Sequence, residues 1–298
     1  MLVVAALVAA TSLLTAPRTF AQASYTGDYT QNFSSMGTGT VAPLGWSVES
    51  EAGANSTFAA SNDSTPGTYT SINFTAGAIT TQAIKQATPN PSSLVDSAGG
   101  YNWTNTAANI AAGEGTESLG SDPTGTAGTI LELSLTNNTG SAISAVNISY
   151  DIDRFSQTNS NNGAGTGSPN AGVEEFPGYQ LFYNLTPSNT ATWVNVSALN
   201  PTIDNGTTGA VQVPNSVGIT QVGTAADPNL VTLDSAWAAG TTISFAWFDD
   251  NAELPSPDQE LGLNNVVIAA VPEPSSVALG LVALGVAVAM LRLRRKSA

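Results

Sequence analysis

Several short segments of the chain alternate apolar and polar residues with a period of two. In Ile130-Leu131-Glu132-Leu133-Ser134-Leu135-Thr136 the leucines fall on one face, and Glu132, Ser134 and Thr136 on the other. After Asn137-Asn138-Thr139-Gly140, Val146, Ile148, Tyr150 and Ile152 face one way and Asn147, Ser149, Asp151 and Asp153 the other. Strict alternation is the signature of a half-buried strand, and two such runs joined by an Asn/Gly turn read as a β-hairpin. A slip of one residue would bury Asp151 and Asp153, so the pattern also sets the register.

The same reading extends along the chain. Asn32-Phe33 and Gly45-Trp46-Ser47-Val48 open two early strands, with Trp46 and Val48 on one face. Tyr179, Leu181, Tyr183 and Leu185 share a face, and Thr192 to Ser197 carries Trp193. A short strand is expected at Ala210 to Val213. Thr242 to Phe248 points Ile243, Phe245 and Trp247 inward, and Leu261 to Ala270 is the last strand. Asn264-Asn265 interrupts its alternation, which predicts a bulge or a polar site. Pro89 to Gly128, rich in Gly, Ser, Thr, Asn and Pro, reads as long loops pinned by Tyr101 and Trp103, or as a linker between two subdomains. No helix finds an obvious place. The expected fold is all-β: an antiparallel β-sandwich of about ten short strands, jelly-roll-like.

The two ends follow different rules. Leu2 to Leu14 is an apolar run, and Ala21-Gln22-Ala23 is an A-x-A cleavage pattern, so residues 1–23 read as a signal peptide. No cation precedes the apolar run, which a misassigned start codon would explain. At the other end, Val277 to Leu291 is uncharged and leads into Arg292, Arg294, Arg295 and Lys296. Fifteen residues of helix measure about 22 Å, short for a bilayer core of about 30 Å, and snorkelling cations relax the mismatch. Residues 276–292 are therefore expected to span a membrane with the basic end cytoplasmic, leaving 24–271 as an extracellular body.

Pro272-Glu273-Pro274, the apolar run and the basic end, in that order, resemble the PEP-CTERM sorting signal of bacterial exported proteins. The resemblance implies recognition by an exosortase-type membrane protease and processing near Pro272, Glu273 and Pro274. It further implies passage to the cell surface or extracellular matrix, and nothing about the activity of the body. The Gly45-Trp46, Leu131 to Asn138 and Phe245 to Val267 segments also look like the extracellular sandwich domains of other sorted bacterial proteins.

Composition narrows the chemistry. Between Ser24 and Val271 only Lys85 and Arg154 are basic, against 21 carboxylates, a net charge of −19. Such a surface repels nucleic acid and anionic lipid and suits divalent cations. The absence of Cys excludes disulfides, and the absence of His removes the commonest general base, Ser-His-Asp arrangements and most zinc sites. Gly163, Gly165 and Gly167 lie in a polar loop without a following Lys, so they make no phosphate cradle.

Three candidate chemistries remain. Asp249, Asp250, Asp258 and Glu260, with Asn264 and Asn265, form a candidate Ca²⁺ cluster. Trp103 and Trp193, with Phe182 and Phe248, are candidates for a carbohydrate-stacking platform directed at exopolysaccharide. Glu174-Glu175 and Asp249-Asp250 are the acid pairs that a glycoside hydrolase would need, but neighbours in a strand point to opposite faces. The leading expectation is a non-enzymatic envelope or biofilm-matrix protein. A carbohydrate-binding module is the alternative, and a hydrolase the third reading.

Overall fold

A computed structural model describes residues 21–52, 71–73, 79–81, 83–87, 99–122, 127–156, 178–187, 192–203, 211–213, 218–224, 230–249 and 260–271. In chain order these carry β1 (Ala23–Tyr25), β2 (Asp28–Gln31), β3 (Trp46–Ala52), β4 (Ser71–Asn73), β5 (Ile79–Thr81), β6 (Lys85–Ala87) and β7 (Gly99–Thr104). A short helix α1 (Ala107–Ala112) precedes β8 (Glu117–Asp122), β9 (Ala127–Asn137), β10 (Ile143–Ser156), β11 (Gln180–Asn184) and β12 (Thr192–Asn195). Then come β13 (Pro201–Ile203), β14 (Val211–Val213), β15 (Gly218–Val222), β16 (Leu230–Trp237), β17 (Thr242–Asp249) and β18 (Glu260–Ala270).

The strands build two large sheets. One runs β4-β12-β11-β17-β9-β3-β5, with β1 added along β9. The other runs β15-β10-β18-β8-β7-β6, with β16 also on β10 and β2 on β18. The sheets pack face to face over one apolar core. Leu131, Leu133 and Leu135 of β9 and Ile243, Phe245 and Trp247 of β17 meet Val146, Ile148, Tyr150 and Ile152 of β10 there. Trp247 is the hub: its ring lies 5.3 Å from Trp46 within its own sheet and 5.8 Å, edge-on, from Tyr150 of the other. Aromatic pairs at such spacings add about 0.5–1.5 kcal/mol beyond the area they bury. The all-β sandwich is thus the observed architecture. It is not wholly antiparallel: β1 with β9, β6 with β7 and β13 with β14 are parallel.

Four expectations need correction. The runs at 130–136 and 146–153 do not form a hairpin, because β9 belongs to one sheet and β10 to the other. Their apolar faces meet across the core rather than lying side by side, which satisfies the same alternation. Asp151 and Asp153, expected in solvent, are buried on the far face of β10. Phe33 opens no strand; it stands at φ 59° before a 3₁₀ turn at Ser34–Met36. Within 89–128, expected as loops, β7 and β8 pair in antiparallel register and α1 lies between them. Thr106 caps α1 by accepting the Asn109 N–H, and Gly113 ends it at φ 112°, a conformation that glycine adopts without strain.

Both ends of the body are tied to the sheets. Gln22 Oε1 accepts from Thr136 Oγ1 at 2.6 Å and Thr242 Oγ1 at 2.9 Å, and Ala23 pairs with Leu135. Cleavage after Ala23 would keep Ser24 and Tyr25 of β1. At the other end, Ala270 N donates to Gly27 O and Val271 N to Ala145 O. The expected signal peptide up to residue 20 and the sorting tail from 272 onward lie outside the described residues. Among the described residues no helix is long and apolar enough to cross a membrane.

Candidate functional site: a buried acid nest

Of the expected Ca²⁺ cluster, Asp249 and Glu260 are among the described residues. Asp249 ends β17 in one sheet and Glu260 opens β18 in the other; both are fully buried. Ser121 Oγ donates to Asp249 Oδ2. Asp250 and Asp258 lie outside the described residues, as do Glu174 and Glu175. Asn264 and Asn265, placed in the same cluster from the sequence, serve a different set of acids.

That set begins with a slip in register. β10 and β18 pair Ser149 with Val267 and then Asp151 with Asn264. Tyr150 therefore opposes two residues, Asn265 and Val266, and the extra residue makes the bulge that the broken alternation predicted. Asn265 takes φ 45°, a left-handed conformation that Asn tolerates better than most residues. The bulge turns both asparagine side chains toward the outer face of the sheet, where α1 and the turn after it lie.

Each amide there enters a group of oxygens. Asn265 Nδ2 donates to Asp151 Oδ2 at 2.9 Å, Glu114 Oε2 at 3.1 Å and Gly113 O at 3.3 Å. Asn264 Nδ2 lies 3.2 Å from Ser118 Oγ and 3.3 Å from both Asp153 Oδ2 and Glu117 O. Asn265 N donates to Asn264 Oδ1, locking the pair together. Ser118 Oγ also donates to Asp153 Oδ2, and Asn105 Nδ2 braces Ser118 from the loop before α1. Asn109 Nδ2 in turn holds Asn105 Oδ1, so the helix positions the whole network.

Among the described residues the donors to Glu114, Asp151 and Asp153 are neutral amides, the Ser118 hydroxyl and, toward Asp151, the Glu114 carboxyl. The electrostatics follow. Burial, then the charges of Asp153 and Asp151, push the Glu114 carboxyl up to about 9. Burial also raises Asp151 and Asp153, against the hydrogen bonds from Asn265 and from Ser118 and Asn264 respectively. At neutral pH Glu114 therefore keeps its proton beside Asp151. Asp153 is fully buried, and while Oδ2 is well bonded, Oδ1 makes no hydrogen bond. As they stand, no three Asp, Glu, His or Cys side chains among the described residues are set to hold a metal ion.

The expected stacking aromatics are also placed inside. Trp103 is fully buried, stacked on Tyr101 at 4.4 Å and flanked by Phe155, and its Nε1 donates to Leu261 O at 2.9 Å. Trp193, on β12, is 2% exposed, and Phe182 and Phe248 are fully buried. None of these rings offers a face to a sugar: Trp103, Phe182 and Phe248 sit on strands buried on both faces, and Trp193 is on the buried face of the half-buried β12.

Against known families, residues 270–296 match the one described as the PEP-CTERM protein-sorting motif. The match covers Pro272, Glu273 and Pro274 and ends on the basic residues Arg292 to Lys296. No curated protein matches the chain. The motif starts at Ala270, the last residue of β18.

Proposed function

We propose that this chain is an exported protein, processed by an exosortase-type membrane protease. In this reading its β-sandwich body is a non-enzymatic component of the bacterial envelope or extracellular matrix. The carrying observation is the sorting motif at residues 270–296, which adjoins the last strand of the body. The hydrogen-bonded frame reaches Val271, whose N–H holds Ala145 O. A cut near Pro272, Glu273 and Pro274 therefore separates the address from the body without breaking a described strand. Residues 276–292 would hold the unprocessed chain in the inner membrane, with Arg292, Arg294, Arg295 and Lys296 on the cytoplasmic side.

The alternatives draw no support from the described residues. An exopolysaccharide-binding module would have to use rings other than Trp103 and Trp193, which are buried. For a hydrolase, Glu114 and Asp151 would be an acid and a carboxylate, but they are only 7% and 6% exposed and both bonded to one asparagine amide, with no room for a sugar between them. Expression in a host with and without its exosortase tests the reading. Fractionation should find the body at the surface or in the matrix only when the protease is present. The same distribution in both strains would overturn it.

A further inference from the structure

The N-terminal end of the body is built more closely than a discarded leader requires. β3 pairs with β9 as far as Leu133, through Trp46, and β1 takes up the same edge from Leu135, through Ala23. The two strands change over at Gly45, whose carbonyl accepts the Ser134 N–H at 2.8 Å and whose φ of 91° turns the chain away from β9. Ala23 packs against it: the residue is 7% exposed, and a Cβ built at Gly45 would stand 2.8 Å from the Ala23 Cβ. Glycine allows that close approach. Gln22, just before the strand, clasps the rung where Thr136 of β9 faces Thr242 of β17, since both hydroxyls donate to its Oε1.

Two positions satisfy the small-residue rule for leader removal. Ala21 and Ala23 flank a cut after Ala23, and Thr19 and Ala21 flank one after Ala21. We infer that a signal peptidase cuts the Ala21–Gln22 bond, so that the mature body begins at Gln22 and not at Ser24. This rests on the reading of the chain as exported. Hydrolysis consumes one water and leaves a carboxylate on Ala21 and an ammonium on Gln22. Gln22 is exposed and precedes the paired register Ala23–Tyr25, so the new charge meets water. A cut after Ala23 would put the ammonium on Ser24, within that register. It would also remove the side chain packed against Gly45 and take from Thr136 and Thr242 their shared acceptor. The small-residue rule admits both cuts; of the two, only the first leaves every contact of β1 in the body.

The test expresses the full chain in a bacterium that has a signal peptidase and no exosortase, and identifies the N-terminal peptide of the product by mass spectrometry. It should begin at Gln22, with the glutamine open or cyclised by loss of ammonia. Gln22→Ala leaves Thr19 and Ala21 in place. Its product should be lighter than the parent's by the difference between glutamine and alanine, and melt about 2 °C lower. Were residue 22 discarded with the leader, the two mature products would be the same molecule, equal in mass and in melting temperature. A parent product beginning at Ser24, or identical products from parent and variant, would overturn the inference and leave the export reading standing. An uncut chain retained in the cytosol would overturn both.

Discussion

Asn265 stands at φ 45°, and from that strained position its amide reaches the Asp151 carboxylate at 2.9 Å. Backbone strain and buried charge are thus coupled in one residue. Asn265→Ala removes the amide and keeps a side chain in the left-handed region. It is expected to cost about 1–3 kcal/mol of unfolding free energy. Asn265→Gly removes the amide but relieves the strain, so it should cost less. Urea denaturation of the two variants compares them directly, and equal losses would mean that the backbone conformation contributes nothing.

The nest also sets a pH dependence. The Glu114 carboxyl has an ordinary value of 4.5 and is pushed up to about 9 in the folded protein, by burial first and the neighbouring charges second. The folded state then binds more protons than the unfolded one between those values, so stability falls as pH rises. Below pH 4.5 this group contributes no difference, the loss grows through neutrality, and it is complete above about pH 9. In chelator, the melting temperature should therefore decline from pH 5 to pH 9. Glu114→Gln should flatten that decline, and an unchanged slope in the variant would remove Glu114 as its source.

Gly120 and Trp103 lock β8 to β7. A Cβ built at Gly120 would come within 1.9 Å of the Trp103 ring, which has no space to retreat. Gly120→Ala is expected to destabilise by about 1–3 kcal/mol and to shift the near-ultraviolet circular dichroism of the displaced indole. Trp247→Ala, at the hub of the core, should cost more, about 3–5 kcal/mol. Thermal melts rank the two, and a Trp247→Ala variant as stable as the parent would contradict the packing.

Much of this architecture was legible in the residues. Leu131, Leu133 and Leu135, and Ile243, Phe245 and Trp247, announced their strands because one face of each meets the core. β7 and β8 were silent because both of their faces are buried: Gly99-Gly100-Tyr101 and Ser118-Leu119-Gly120 show no alternation. The same cause hid the partner sheet of β10, since alternation reports which side is buried and not which strand lies alongside. Asn264-Asn265 was visible as a break in pattern. Its acids were not, because Glu114 lies 151 residues away in sequence and Asp151 lies 114 away, and they are joined by the pairing of β18 with β8 on one side and β10 on the other.

The reading as a whole rests on the tail being an address that is removed. The most direct measurement is the intact mass of the mature protein recovered from the cell surface or medium of a host carrying an exosortase. The expected product ends near Pro272, Glu273 and Pro274 and lacks Val277 to Lys296. Recovery of the untrimmed chain, free in the cytosol of that host, would contradict it.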